Sequence, residues 1–396
     1  SGGDVSIEDL IADENVVITI SHAGYIKRTN LSEYKTQNRG GVGQKSAGTR
    51  DQDFLENMFV ATNHQYMMFF TQKGKCFWMR VYEIPEGSKT AKGRAIQNLI
   101  NIESDDKVKA FICTQDLKDQ DYIKSHNLVM VTKKGQVKKT SLEKYSKPRV
   151  NGVAAITIKE GDELLGAELT NGESQIILAV KSGKLVRFEE TKTRPMGRTA
   201  SGVRGITLKD DTDEVIGMVT VDKENINDSQ ILVVTENGYG KRTKLVDEDG
   251  EDVYRITNRG GKGVKTLNIT EKTGNLISIS AVTDADDLMI INKSGLTIRM
   301  AIEDLRVMGR ATQGVRLINL KGKDSIAAVT KVMKDDVAEV IVDEDGNVIE
   351  TVAIERVKPD LEVLEDDVVA EEDEDDDETE EEDVDDEEDS EEDDEA

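Results

Sequence analysis

The chain holds two cysteines, four prolines, one tryptophan and three histidines among 396 residues. Each scarcity closes off a class. Cys76 and Cys113 lie in apolar, strand-like runs and read as reduced core residues, so a disulfide framework is excluded. His22, His64 and His126 are isolated and read as structural, and the acidic runs at 247–252 and 343–346 miss the calcium-loop spacing. No metal site, nucleophile–base pair or cofactor is expected in this chain. No stretch approaches the roughly 20 apolar residues of a membrane span. Aromatics make up 4% of the chain, too few for a platform that stacks unpaired bases. The start, Ser-Gly-Gly-Asp, has neither a signal-peptide pattern nor an initiator Met, and leads to the expectation of a piece of a longer intracellular protein.

Lys and Arg are also absent from residues 361–396, where 26 residues are Asp or Glu. Taking these from the 80 acids of the whole leaves 54 against 52 Lys and Arg. The net charge of −28 therefore belongs to the tail, and the body is nearly neutral and free to carry a basic face. The tail has too little apolar surface to offset its ordering entropy and is expected to be disordered.

What the body does have is a repeat. Six times, four or five apolar residues run into a polar turn closing on glycine, followed by a strand bearing Lys or Arg. The closing glycines are Gly24, Gly74, Gly135, Gly183, Gly238 and Gly295, with spacings of 48 to 61 residues. Glycine suits the left-handed position of a hairpin turn. Fixed-order repeats of this length indicate a ring or array of small antiparallel sheets. A glycine-led stretch returns to an apolar strand after each hairpin, as at Gly93, Gly152, Gly202 and Gly314. The loops Met196-Gly197-Arg198 and Met308-Gly309-Arg310 are near copies. The fold class is all-β. Residues 1–10 read as a leader, 11–335 as the repeat body, 336–360 as a linker or last hairpin, and 361–396 as the tail. Ile7–Ile11 and Leu31–Tyr34 are candidates for single helical turns.

Two of the returning loops are richest in glycine. Gln37, Asn38, Arg39, Gly40, Gly41, Val42 and Gly43 are echoed in the fifth repeat by Thr257, Asn258, Arg259, Gly260, Gly261, Lys262 and Gly263. Glycine lets a backbone come close to a phosphate chain, successive N–H groups form an anion-binding concavity, and arginine adds a planar charged fork. Arg39 and Arg259 are assigned as phosphate clamps, with Lys45 and Lys262 in support. The alternative of a nucleotide-binding P-loop fails, because both loops lack the glycine before Lys and the strand-to-helix context. Lys27 and Arg28, Lys75 and Arg80, Lys138 and Lys139, Lys184 and Arg187, Lys241 and Arg242, and Arg299 recur at the strand ends of the six repeats. They are expected to form a basic belt that meets duplex backbone without reading bases. A solvated edge strand is the plainer reading of each cation alone.

The seven residues Gln37–Gly43 resemble the box of the C-terminal DNA-wrapping domain of bacterial DNA gyrase A, whose pattern is Gln, basic, Arg, Gly, Gly, basic, Gly. Ser21, His22, Gly24, Tyr25, Ile26 and Lys27 resemble that domain's first repeat, and similarity extends through Val81–Pro85 to about residue 335. Asn38 and Val42 depart from the box, so both boxes share the task in this reading. The resemblance implies a six-bladed β-pinwheel that exchanges strands between neighbouring blades. It implies duplex DNA as partner, wrapped for strand passage and negative supercoiling. It further implies the rest of gyrase A, as a dimer, and gyrase B as partners, with ATP and Mg on those other parts, no membrane, and a cytoplasmic, nucleoid-associated location in bacteria. The related domain of topoisomerase IV, with a degraded or missing box, is the near alternative; a propeller-like protein-interaction scaffold is the distant one.

Overall fold

The computed structural model describes residues 6–34, 53–310, 314–334, 338–342, 348–353 and 356–363. The box at 37–43, Lys45 and the acidic residues from 364 onward lie outside the described residues.

All six expected hairpins form. They pair Asn15–Ser21 with Tyr25–Asn30, Tyr66–Thr71 with Lys75–Arg80, and Asn127–Thr132 with Gln136–Ser141. The remaining three pair Gln175–Val180 with Lys184–Glu189, Gln230–Thr235 with Tyr239–Lys244, and Asp286–Asn292 with Thr297–Ala301. The closing glycines have φ between +88° and +95°, where a Cβ is disfavoured, which is why glycine ends every turn.

A third strand follows each hairpin and pairs with its first strand. These strands are Leu55–Thr62, Val108–Thr114, Leu164–Thr170, Val215–Val221, Leu276–Val282 and Ile326–Met333. From blade two to blade six each packs on the next, and the sixth packs on the first, so they surround the axis of a ring. The fourth, outermost strand is two residues long and comes from the following repeat. Arg94–Ala95, after the second hairpin, pairs with the second strand of the first hairpin. Val153–Ala154, Val203–Arg204, Val264–Lys265 and Val315–Arg316 repeat this one blade further each time. The molecule is a six-bladed propeller with exchanged outer strands. Among the described residues blade six has three strands, and Glu362–Val363 adds a fifth to blade five. Ala338–Val342 and Val348–Ala353 pair with each other.

The core lies between blades. Strand side chains alternate between faces, and a middle strand is buried on both, so it reads as an unbroken apolar run. In Tyr66–Thr71, Met67 and Phe69 pack towards blade one while Met68 and Phe70 pack towards blade three. Among the described residues, the contact that joins blade six to blade one is the smallest of these clusters: Met289, Ile291, Ala328 and Val332 against Phe54, Leu55 and Met58. Ile7–Leu10 and Leu31–Tyr34 form single 3-10 turns, and one α-helix, Gln120–Ser125, starts on Asp119.

Candidate nucleic-acid interface

Each crossover from one repeat to the outer edge of the previous blade bulges into a loop before its short strand. The fifth-repeat loop shows how such a loop is built. Thr257 N donates to Arg187 O at 2.8 Å, and Gly260 N to Gly205 O at 2.8 Å. Gly263 has φ +82°, and a Cβ there would stand 2.5 Å from Leu185 O; the chain must cross the strand below at that point. Gly261 has nothing within 4 Å of the position a Cβ would take, so its outer side is open. Lys262 is exposed, while Arg259 is half-buried and donates from Nε to Lys192 O at 3.3 Å and from Nη1 to Arg204 O at 3.0 Å.

The other crossovers carry exposed cations at differing positions along the loop and its short strand: Lys92 and Arg94, Lys147 and Arg149, Arg194 and Arg204, and Arg306. Several acids sit at the hairpin turns, although the fifth crossover also carries the exposed acids of 247–252. Asp53, Asp106, Asp162, Asp213 and Asp324 each accept the N–H of a hairpin-turn residue, namely Ala23, Lys73, Lys134, Ser182 and Ser294. Lys73 pairs with Glu103 and Asp105, and Lys133 with Glu163 and Glu214, near those same turns. The crossover loops are left as the cation-bearing stretches of the outer edge.

The profile of the family described as "DNA gyrase C-terminal domain, beta-propeller" matches residues 15–62, 65–115, 126–171, 175–222, 229–283 and 286–333, one segment per blade. The chain belongs to this family. DNA gyrase A of Staphylococcus aureus strain NCTC 8325 / PS 47 is 41% identical over 364 residues, covering 92% of this chain and 39% of that protein. DNA gyrase A of strain MRSA252 is 42% identical over 347 residues, covering 88% and 38%. The chain thus spans about two fifths of the length of these curated relatives. Among solved structures, the C-terminal domain of DNA topoisomerase IV superposes with a TM-score of 0.65 at 26% identity, covering 82% of this chain and 94% of that one. The DNA gyrase A C-terminal domain gives 0.61 at 25% identity, covering 81% and 100%.

For this gyrase-family propeller the expected belt of strand cations needs correction. Lys27, Lys138, Lys139, Lys241 and Arg242 are buried and Arg28 is half-buried. The physical reason is the strand exchange. A crossover lies over the outer strand, its carbonyls lack ladder partners there, and the cations below supply donors. Lys27 Nζ donates to Ser88 O, Lys89 O and Ala91 O at 3.0, 2.7 and 2.7 Å; burial lowers its pKa to about 8. Lys138 Nζ donates to Arg198 O at 2.5 Å and to Ala155 O, and Lys241 Nζ to Gly309 O at 2.9 Å. Arg28 reaches Ile84 O and Tyr82 O, Lys139 reaches Glu190 O, and Arg242 reaches Leu305 O and Asp284. In repeats four and six, Arg187 and Arg299 are equally enclosed, on Tyr254 O and on Asp287. Apart from Arg299, whose partner Asp287 lies in its own blade, these cations fasten crossovers to blades, and enclosed as they are they offer no belt to a ligand.

The exposed loop cations were the residues sequence reasoning passed over. Their signal was present in the paired Met-Gly-Arg loops, which register as a repeat of glycine before they register as a repeat of charge. Of the candidate box residues, Arg259, Gly260, Gly261, Lys262 and Gly263 come together in one outer loop; Gln37 to Gly43 and Lys45 fall outside the described residues.

Proposed function

We propose that this domain binds duplex DNA along its outer crossover loops and bends it around the ring. The observation that carries this reading is the recurrence of a cation-bearing, glycine-closed loop at the outer edge of successive blades. Gly261, Lys262 and the exposed loop cations supply the phosphate contacts, with Arg259, Gly260 and Gly263 shaping the fifth loop. Gln37 to Gly43, with Arg39 and with Lys45 beyond, is the matching sequence in the first repeat and is assigned the same task. Smooth bending of a short duplex costs on the order of 1–6 kcal/mol, which several phosphate contacts per blade offset. Without a groove-reading element, binding is indifferent to sequence.

In the proposed assembly the domain follows the cleavage core of a gyrase A dimer, working with gyrase B in the bacterial cytoplasm at the nucleoid. The bent DNA presents a segment for strand passage, and ATP and Mg act on those other parts. Likeness to the topoisomerase IV domain supports a second reading, binding without full wrapping. Sealing nicked circles on the bound 396-residue chain separates the two. A positive trapped linking change supports wrapping. Tight binding with no linking change supports the topoisomerase IV-type reading, and absence of duplex binding overturns both.

A further inference from the structure

Three arginines at the same place in successive loops reach back to the neighbouring blade. Arg198, Arg259 and Arg310 each stand four residues before the glycine that closes its crossover loop, at Gly202, Gly263 and Gly314. Their Nη1 atoms donate to Ala154 O at 3.1 Å, Arg204 O at 3.0 Å and Lys265 O at 3.3 Å. The acceptors are equivalent as well. Each lies two residues after the closing glycine of the preceding loop, at Gly152, Gly202 and Gly263. A second set of bonds runs beside the first. Thr157 Oγ1 donates to Thr199 O at 2.6 Å, and Thr207 Oγ1 to Gly260 O at 2.5 Å. The amides of the same threonines donate to Ala200 O at 3.3 Å and Gly261 O at 2.9 Å. Thr157 and Thr207 both fall five residues after a closing glycine.

We propose that these bonds form a ladder that sets the blade-to-blade spacing of the outer loops, making Arg198, Arg259, Arg310, Thr157 and Thr207 positioning residues. The role in DNA binding rests on the reading given under Proposed function; the ladder does not. Every side-chain rung joins one loop to the backbone of another, outside the interblade cores, and the two threonine amides add backbone rungs beside them. Breaking one therefore leaves the blades folded while the loop moves relative to its neighbour. A duplex presents phosphates at fixed intervals, and loops held in one register meet them as a track. Arg259 is the central rung, since its guanidinium also reaches Lys192 O. Lysine keeps the charge at that position but loses the rigid guanidinium whose separate Nε and Nη1 donors hold Lys192 O and Arg204 O.

The test uses the full 396-residue chain and the variants Arg259→Lys, Arg259→Gln, Thr207→Val and, as a direct-contact control, Lys262→Gln. Amide hydrogen exchange is followed without DNA. The ladder predicts faster exchange at Gly260 in Arg259→Lys and in Thr207→Val, with thermal midpoints close to wild type. On DNA, Arg259→Lys and Arg259→Gln should both trap a smaller linking change per bound domain. The slope of log K against log salt should stay as in wild type for Arg259→Lys, and fall by about 0.9 for Lys262→Gln. Unchanged exchange in both ladder variants overturns the ladder. Full rescue of the linking change by lysine makes Arg259 a phosphate contact and overturns its positioning role. Failure of the wild-type chain to bind duplex defeats the functional reading, and the exchange result still decides the ladder.

Discussion

Two glycines in the fifth loop, two residues apart, are set up to respond differently to the same methyl group. At Gly263 an added Cβ meets both a left-handed φ of +82° and the Leu185 carbonyl at 2.5 Å. Gly263→Ala should lower stability by about 1–3 kcal/mol, read as a fall in the thermal midpoint. Gly261 has open space, so Gly261→Ala should leave stability within about 0.5 kcal/mol. Its effect should show in duplex affinity, reduced several-fold if the backbone there lies against phosphate; equal affinity for wild type and Gly261→Ala would remove this residue from the interface. The left-handed positions were legible in the sequence because glycine is the residue they demand. The fate of the strand cations was not. Lys27, Lys138 and Lys241 fill alternate blades at a position taken by Phe77, Val186 and Ile298 in the others. Reading that alternation as burial requires knowing that a crossover from another repeat covers the strand.

At the scale of the element, the hairpins were legible because a two-residue period and a glycine turn are local facts. The outer strands were marked by the glycine before each, as at Gly93 and Gly202, but their pairing was hidden, since a two-residue strand has no period to detect and its partner lies a repeat away. The aspartate that fastens each turn was hidden for the same reason: it sits about 30 residues from the amide it accepts. Asp213 and Asp324 are the fullest cases, and Asp213 is the buried one of the two. Its Oδ1 accepts from Ser182 N and Glu214 N, both at 3.0 Å, and its Oδ2 from Ser182 Oγ at 2.6 Å. Removing this buried carboxylate leaves the turn amide without an acceptor. Asp213→Ala should cost about 1–3 kcal/mol in urea denaturation, with Asp213→Asn milder because one acceptor oxygen remains. Equal stability of Asp213→Ala and wild type would show that water replaces the bond and that the repeated aspartate is not a structural requirement. The fifth hairpin makes its own substitution, with Asn237 N donating to Thr273 O at 3.1 Å.

At the scale of the molecule, a ring joined by a small apolar contact between blades six and one carries a strap over its last two blades. Val357 N donates to Arg299 O at 2.7 Å, Arg356 Nε to Asp287 at 2.8 Å, and Lys358 Nζ to Asp304 at 3.0 Å. Arg316 then holds Asp360 at 3.1 Å and pairs with Glu362, whose strand lies on Val315–Arg316. The strap ends at Val363, on the short strand Val315–Arg316 that follows the sixth crossover loop with its Arg306 and Arg310. The sequence announced the charge of the tail but not its point of departure, because the strap is made of single bonds to blades already passed. Residues 364–396 contain 25 Asp or Glu and no Lys or Arg, all tethered at that point and so at high local concentration around the loops. On the proposed reading of the loops, such a polyanion would compete with duplex for the same cations. Cutting after Val363 removes it and spares the strap, whereas a cut after Pro359 would also take Asp360 and Glu362 from Arg316. The chain ending at Val363 should bind duplex more tightly than the full chain at low salt. The gap should narrow as the screening length falls to about 10 Å at 0.1 M. Affinities that coincide at every salt concentration would show that the tail does not engage the loops, however close its root lies to them.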